Sequence, residues 1–263
     1  MSPLLAERTE REPAGTGVHA VSVAALERRG RLDRVTFDLG AGALALIGPN
    51  GAGKSTILHV LVGRIRSHGG AALLFGHKPR TVAAARLRAY VPQQIAFPPH
   101  LRVREVLAAA SKAKGCATER AEAAAARMGI DGFMSRRAGT LSGGMTQRLA
   151  LAAALMDEPS LWLLDEPASA LDGGGLERLA DWAREHVRAG GTLVVSAHRP
   201  EEVEAFASEA ILLVRGRVVG RVPVHELFDD RLVTTGGRAP LPEGTYVERS
   251  ATPLLRRVLG GDE

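Results

Sequence analysis

Two rhythms of apolar residues run along the chain. Strand-like runs occur at Val18–Leu26, at VTFDL from Val35, and at Ala43–Ile47, where ALALI is apolar throughout and stops at Gly48. After a Gly-rich turn, STILHVLVGRI carries apolar residues at helical spacing, so the local order is strand, Gly loop, helix. From Thr81 the composition shifts to Ala, Arg and Glu, with helical periodicity in VREVLAAASKA and ERAEAAAARMG. A mostly helical insert is therefore predicted over residues 95–156, entered through the Pro-rich corner PQQIAFPPH. Strand pattern returns in SLWLLDE, followed by a helix over Leu176–Arg188, a strand TLVVSAH, and a hairpin-like pair ILLVRG/RVVGRV. Buried parallel strands alternating with helices predict an α/β fold. Residues 1–17 read as a tail, 18–229 as one domain, and 230–263, rich in Gly, Pro and Arg, as an extension.

Composition narrows the function classes. With 263 residues and 45% hydrophobic positions, the chain is long enough for one large folded domain. No stretch of about 18 residues is free of charged and polar side chains, so no membrane-spanning helix is expected. The N-terminus lacks the basic-then-apolar order of a secretory signal, and a cytoplasmic protein is expected. Cys116 is the single cysteine, which excludes an internal disulfide and a cysteine-built zinc site. The net charge of +5 is spread through arginines that alternate with glutamates, and the ten aromatic residues (six Phe, two Trp, two Tyr) leave few stacking platforms. No nucleic-acid partner is expected.

GPNGAGKST matches the phosphate-loop pattern over Gly48, Pro49, Asn50, Gly51, Ala52, Gly53, Lys54, Ser55 and Thr56, with the strand before it and the helix after it that the pattern requires. Glycines at 48, 51 and 53 let backbone N–H groups turn toward a phosphate chain, and the helix starting near Lys54 aims its positive end at the same anion. Lys54 then reaches the β and γ phosphates, and the Ser55 hydroxyl reaches Mg²⁺. SLWLLDE ends in two carboxylates, Asp165 and Glu166, 111 residues after Lys54 in the case of Asp165. Strand alternation points them to opposite faces, so one can serve the metal while the other faces a reacting water. LSGGM opens a helix with Ser142 as a good N-cap, and Gly143 and Gly144 expose backbone donors beside it, which makes a second anion site.

With these motifs in order, the chain resembles the nucleotide-binding subunit of an ATP-binding cassette (ABC) transporter over residues 18–228. The resemblance implies a P-loop NTPase core with a mixed sheet and an inserted α-helical subdomain. It implies ATP hydrolysis with Mg²⁺, held by Ser55, Asp165 and the Q-loop glutamine, with Glu166 polarising the attacking water. YVPQ places that glutamine at Gln93, with Gln94 an adjacent competitor. SALD matches the D-loop at Ser169 and Asp172, and SAH gives the switch histidine, His198. Two cassettes, a homodimer or a pair of close paralogues, are implied to meet head to tail, so that ATP in one cradle is capped by Ser142, Gly143 and Gly144 of the other.

The resemblance further implies separate transmembrane permease subunits and a peripheral position on the inner membrane face. Residues 95–110 are the expected docking stretch, with an amphipathic cover of the insert as the alternative. Met145, where glutamine is more frequent, is similar to a variant of exporters with separate membrane subunits, so an exporter is expected. A soluble single-cassette ATPase that drives assembly or remodelling is the competing reading, and a nucleotide-gated module that binds without hydrolysing requires a defect at Glu166 that is not visible. One departure concerns the base. Family members place an aromatic residue about 25 positions before the phosphate-loop lysine, whereas this chain has Arg28 or Arg29 there. A guanidinium plane stacks on a base with little purine selectivity.

Overall fold

In the computed structural model, residues 19–227 are described, so the expected tail and extension, like the outer limits of the expected domain, lie outside the described residues. The centre is a six-stranded mixed sheet in the order β5-β6-β7-β3-β8-β9, where β3 is Gly42–Ile47, β5 Arg88–Val91, β6 Leu161–Asp165, β7 Thr192–Ser196, β8 Glu209–Val214 and β9 Arg217–Pro223. All its pairings are parallel except the β8–β9 hairpin at the edge. A second, three-stranded antiparallel sheet has the order β2-β1-β4, with β1 Val21–Arg28, β2 Leu32–Leu39 and β4 Gly69–Leu74.

Strand alternation divides the central sheet between two cores. Leu44, Leu46, Leu161, Leu163, Val194 and Ile211 face the small sheet and helix α1 (Lys54–Leu61). Ala45, Ile47, Trp162, Leu164, Leu193 and Val195 face the helices of the insert and α6 (Gly173–Arg188). Burial on both faces explains why β3, β6 and β7 read as unbroken apolar runs. The insert consists of α3 (Val103–Lys114), α4 (Thr118–Arg127), two short 3-10 turns and α5 (Gly143–Leu155).

Several element boundaries differ from the expectation. The first two strands begin later and earlier than expected, at Val21 and Leu32, and α1 stops at Leu61 because Gly63 takes the left-handed conformation (φ 77°). Helix α6 begins three residues before Leu176, since Asp172 caps it by accepting the Gly175 N–H at 2.8 Å. Strands β4 and β5, with helices α2 (Val82–Leu87) and α7 (Pro200–Phe206), were not anticipated. At six and four residues the two strands are short, β4 carries Gly69-Gly70-Ala-Ala, and β5 interrupts an Ala/Arg-rich stretch that reads as helix. Among the described residues, no helix is long and apolar enough to cross a membrane.

At the end of the sheet remote from the strand C-termini, Trp162 is fully buried, stacked on His186 at 4.2 Å and edge-on to Trp182 at 5.4 Å. The His186 ring also explains Gly191, where a Cβ would lie 2.1 Å from the ring. Trp162→Ala is expected to lose about 3–5 kcal/mol of stability, and Trp162→Phe clearly less. Urea unfolding checks this, and a loss below about 1 kcal/mol for Trp162→Ala would show that the cluster does not support the fold.

Candidate functional site

The parallel register gathers the candidate groups at one sheet edge. Leu46 of β3 pairs with Ser196 of β7, which pairs with Asp165 of β6, so the three chains reach the same level together. The phosphate loop, Glu166 and His198 extend from these three strand ends into the crevice where α/β sheets place their ligands.

Gly48 and Gly53 are glycines for different reasons. A Cβ on Gly48 would lie 2.2 Å from the Leu213 carbonyl oxygen, so the loop starts flush against β8. Gly53 has φ 109° and caps α1, and a Cβ there would meet the Leu32 side chain at 2.7 Å. Gly51, at φ 79°, needs its left-handed backbone but has open space around it. Lys54 donates from Nζ to the carbonyl oxygens of Gly48 (2.6 Å) and Pro49 (3.2 Å), so these two residues park the lysine across the loop. Burial holds the Lys54 amine below the ordinary lysine range, and the Glu166 and Asp165 carboxylates partly offset that.

A polar cavity of about 340 Å³ opens over the loop, lined by Arg31, Asn50, Gly51, Ala52, Gly53, Lys54, Ser55, Thr56, Gln93 and Glu166. Ser55 donates from Oγ to Asp165 Oδ1 at 3.0 Å, and Ser196 donates to the same oxygen at 2.6 Å. Ser196 Oγ also accepts the Glu166 N–H at 2.8 Å, so one hydroxyl ties the two carboxylate residues together. Glu166 sits in the left-handed backbone region (φ 48°), which is uncommon for a residue with a side chain and costs on the order of 1 kcal/mol or more. Its carboxylate is held from both sides. Gln93 donates from Nε2 to Oε2 at 2.6 Å, and His198 Nε2 contacts Oε1. Gln93, and not Gln94, lines the cavity.

The signature residues lie elsewhere. Ser142 caps α5, its hydroxyl accepting the Met145 N–H at 3.2 Å, and neither it nor Gly143 or Gly144 lines the cavity. A Cβ on Gly144 would fall 2.8 Å from the Ala170 carbonyl oxygen, so that glycine also allows the D-loop to close on α5. Asp172 is engaged within its own chain, as cap of α6 and ion-pair partner of Arg148, and these contacts hold its carboxyl below the usual range. Ser169 is exposed, its N–H donating to the Glu166 carbonyl oxygen at 3.2 Å.

Three residues of the site were not foreseen. Arg31 lines the cavity where Arg28 or Arg29 was expected. Ser196 stands one residue before the SAH alanine and carried only a strand signal. Tyr90, in β5, is half-buried, and burial together with the nearby Asp165 charge pushes its phenol up to about 12, so it stays protonated.

The stretch over residues 95–110 divides. Val103, Val106 and Leu107 of α3 are buried in the insert core, as the amphipathic-cover alternative requires. Ile95 and Phe97 instead line an open apolar groove of about 260 Å³ with Pro92, Ala150, Ala153 and Ala154. Among the described residues, no group of three or more His, Cys, Asp or Glu side chains could hold a metal ion by itself. The Ser55–Asp165 oxygen pair fits Mg²⁺, which is commonly held by one or two protein oxygens together with substrate phosphates.

Comparison with known proteins gives concordant matches. The ABC transporter family model matches residues 32–169. The hemin import ATP-binding protein HmuV of Agrobacterium fabrum is 35% identical over 226 residues, covering 79% of this chain and 86% of that protein. The lipoprotein-releasing system ATP-binding protein LolD 2 of Rhodospirillum rubrum is 33% identical over 235 residues, covering 84% of this chain and 98% of that protein. A solved structure of an ATP-binding subunit of an ABC transporter superposes with a TM-score of 0.73 at 26% identity, covering 79% of this chain and 91% of that chain.

Polyphosphate in the cavity raises the Lys54 pKa from its lowered value. Binding of ATP at alkaline pH is therefore expected to take up protons, and affinity to fall as pH rises through the free protein's Lys54 value. Calorimetry in buffers of different ionisation enthalpy reads the uptake. In Lys54→Ala the uptake is expected to vanish, together with the ATP-induced rise in Tm, a stabilisation of about 2.7 kcal/mol at 100-fold saturation. An unchanged Tm shift in that variant would contradict the cradle.

Proposed function

We propose, from the premise that this chain belongs to the ABC transporter family as a single-cassette ATP-binding subunit whose ATP hydrolysis powers transport, that Glu166 is its catalytic base and Lys54 and His198 its catalytic partners. The observation that carries this is the convergence of Lys54, Ser55, Asp165, Glu166 and Gln93 on one polar cavity at the strand ends. The cassette is read as residues 18–229, with the helical subdomain over 95–156.

The chemistry follows from the contacts. Lys54, parked on two carbonyl oxygens, transfers its charge to the β and γ phosphates when these enter the loop. Backbone N–H groups over Gly51–Thr56 and the α1 N-terminus hold the same oxygens without reorganising. Ser55 and Asp165, with Gln93, would hold Mg²⁺, which would supply neutralisation of phosphate charge. Glu166 accepts a proton from the attacking water, and His198 keeps its carboxylate aimed at that position. Gln93 holds the Glu166 carboxylate, and would have to release that hydrogen bond to serve a metal ion.

Ser142, Gly143 and Gly144 form a helix N-terminus that no phosphate within the same chain occupies, since they lie outside the cavity. A second cassette, identical or closely related, would bring that tip and Asp172 onto the open side of the nucleotide. The apolar groove at Ile95 and Phe97, immediately after Gln93, suits an apolar segment of a separate transmembrane subunit. On this reading the chain is a peripheral subunit on the cytoplasmic face of a membrane. Export is inferred from Met145 alone. The relatives' names run mostly against it: those of hemin, sulfate/thiosulfate and molybdenum proteins say import, and one names lipoprotein release.

Glu166→Gln is expected to bind ATP as the parent does and to lower turnover at least about 100-fold, the contribution of one general base. Phosphate release in single- and multiple-turnover assays measures it. Turnover within about threefold of the parent would remove Glu166 from its role.

A further inference from the structure

Strand β7 ends beside the two carboxylate residues and reaches Glu166 twice. His198 contacts its carboxylate at Oε1, and Ser196, two residues earlier, meets its backbone. The first contact aims the side chain of the base. The second fixes the backbone from which that side chain starts.

Ser196 is fully buried, and its register opposite Asp165 sets its hydroxyl between the two acidic residues. A hydroxyl carries one proton and two lone pairs. Here the proton goes to Asp165 Oδ1 at 2.6 Å, a length typical of a charge-assisted bond between a hydroxyl and a carboxylate. The lone pairs are thereby left for the Glu166 N–H, which donates to Oγ at 2.8 Å. A carboxylate that polarises the hydroxyl makes its oxygen a better acceptor, so the two bonds strengthen one another. Alanine would offer neither the donor nor the acceptor.

This tether sits at a strained point. Glu166 has φ 48°, and such a backbone persists in a residue with a Cβ only where its surroundings hold it. Pro167 follows and has no N–H with which to anchor the bend. On the backbone of Glu166 the bend is held by the N–H on Ser196 and by the carbonyl oxygen, which accepts the Ser169 N–H at 3.2 Å. The Ser196 bond is the shorter of the two and is buried, whereas Ser169 is exposed. The phosphate loop has supports of its own, Lys54 on the Gly48 and Pro49 carbonyl oxygens and Ser55 on Asp165.

We infer that Ser196 is a positioning residue for hydrolysis: its hydroxyl, oriented by Asp165, holds the Glu166 backbone in the left-handed bend from which the carboxylate reaches Gln93 and His198. Without that hydroxyl the Glu166 backbone relaxes toward negative φ and the carboxylate leaves its place, while the phosphate cradle stays intact. This rests on the reading of Glu166 as the base and adds the group that sets its position.

The test combines Ser196→Ala with Glu166→Gln in the full chain. Ser196→Ala is expected to bind ATP without Mg²⁺ within about twofold of the parent and to lower turnover at saturating ATP and Mg²⁺ by about tenfold or more, as displacement of a catalytic group does. Added to Glu166→Gln, the same substitution changes the remaining single-turnover rate by less than about threefold, because the two residues act as one unit. Should Ser196→Ala show no ATP-induced rise in Tm, Ser196→Cys, whose thiol is a weak donor and acceptor, is judged by the same thresholds. The inference is overturned if turnover stays within about threefold of the parent, if ATP binding weakens in step with turnover, or if the full loss reappears on top of Glu166→Gln. Glu166→Gln alone separates the two levels. If it leaves turnover near the parent's, the assignment of the base fails; if it abolishes turnover while Ser196→Ala does not, only the role of Ser196 fails.

Discussion

A triphosphate carries more negative charge than any set of flexible side chains can hold at low entropic cost, so the whole arrangement depends on backbone N–H groups turned inward with no Cβ in the way. The loop between β3 and α1 meets that requirement under tight confinement. Gly48 lies against the Leu213 carbonyl and Gly53 against Leu32 and Arg31, which leaves the backbone one path. The parallel strands that flank it on the sheet bring Ser196 and Asp165 to the same height, and Ser55 then reaches Asp165 across the crevice. Lys54, Ser55 and the cavity over the loop take their positions from this arrangement.

The carboxylate end of the cavity is held by several contacts at once. Glu166 occupies a left-handed backbone position, donates its N–H to the Ser196 hydroxyl, and has its carboxylate clamped between Gln93 and His198. One hydrogen bond also links Gln93, close in sequence to the apolar groove, with the Glu166 carboxylate. On the other side, Gln147 donates to the Pro167 carbonyl oxygen at 3.0 Å and Arg148 pairs with Asp172, tying the helix behind Ser142 to the segment after Glu166.

How much was legible in the sequence depends on how local each signal is. The phosphate loop, the two terminal carboxylates and the S-G-G cap are contiguous patterns whose chemistry depends on neighbours along the chain, and each appears where it was expected, on a strand end or a helix start. The doubly buried strands β3, β6 and β7 were readable because both faces are apolar. β4 and β5 were not, because their stability comes from pairing with β1 and β6 and their residues favour turn or helix. Arg31 escaped notice because counting back from Lys54 assumes a hairpin of ordinary length, and the short turn after Arg28 shifts the register. Ser196 escaped because its role exists only through the pairing with Asp165. The reasons assigned to the glycines also needed the structure: Gly48 and Gly144 avoid collisions with Leu213 and Ala170, whereas Gly51 supplies conformational freedom.

The central claim is that nucleotide held in this loop is sealed by the Ser142 helix tip of a second cassette. Sedimentation velocity of the Glu166→Gln chain with saturating ATP and Mg²⁺ tests it most directly, since blocked hydrolysis preserves the sealed state. The account predicts a species of twice the monomer mass that returns to monomer when nucleotide is removed or when Ser142 is replaced by Arg. A chain that remains monomeric with ATP bound would contradict it.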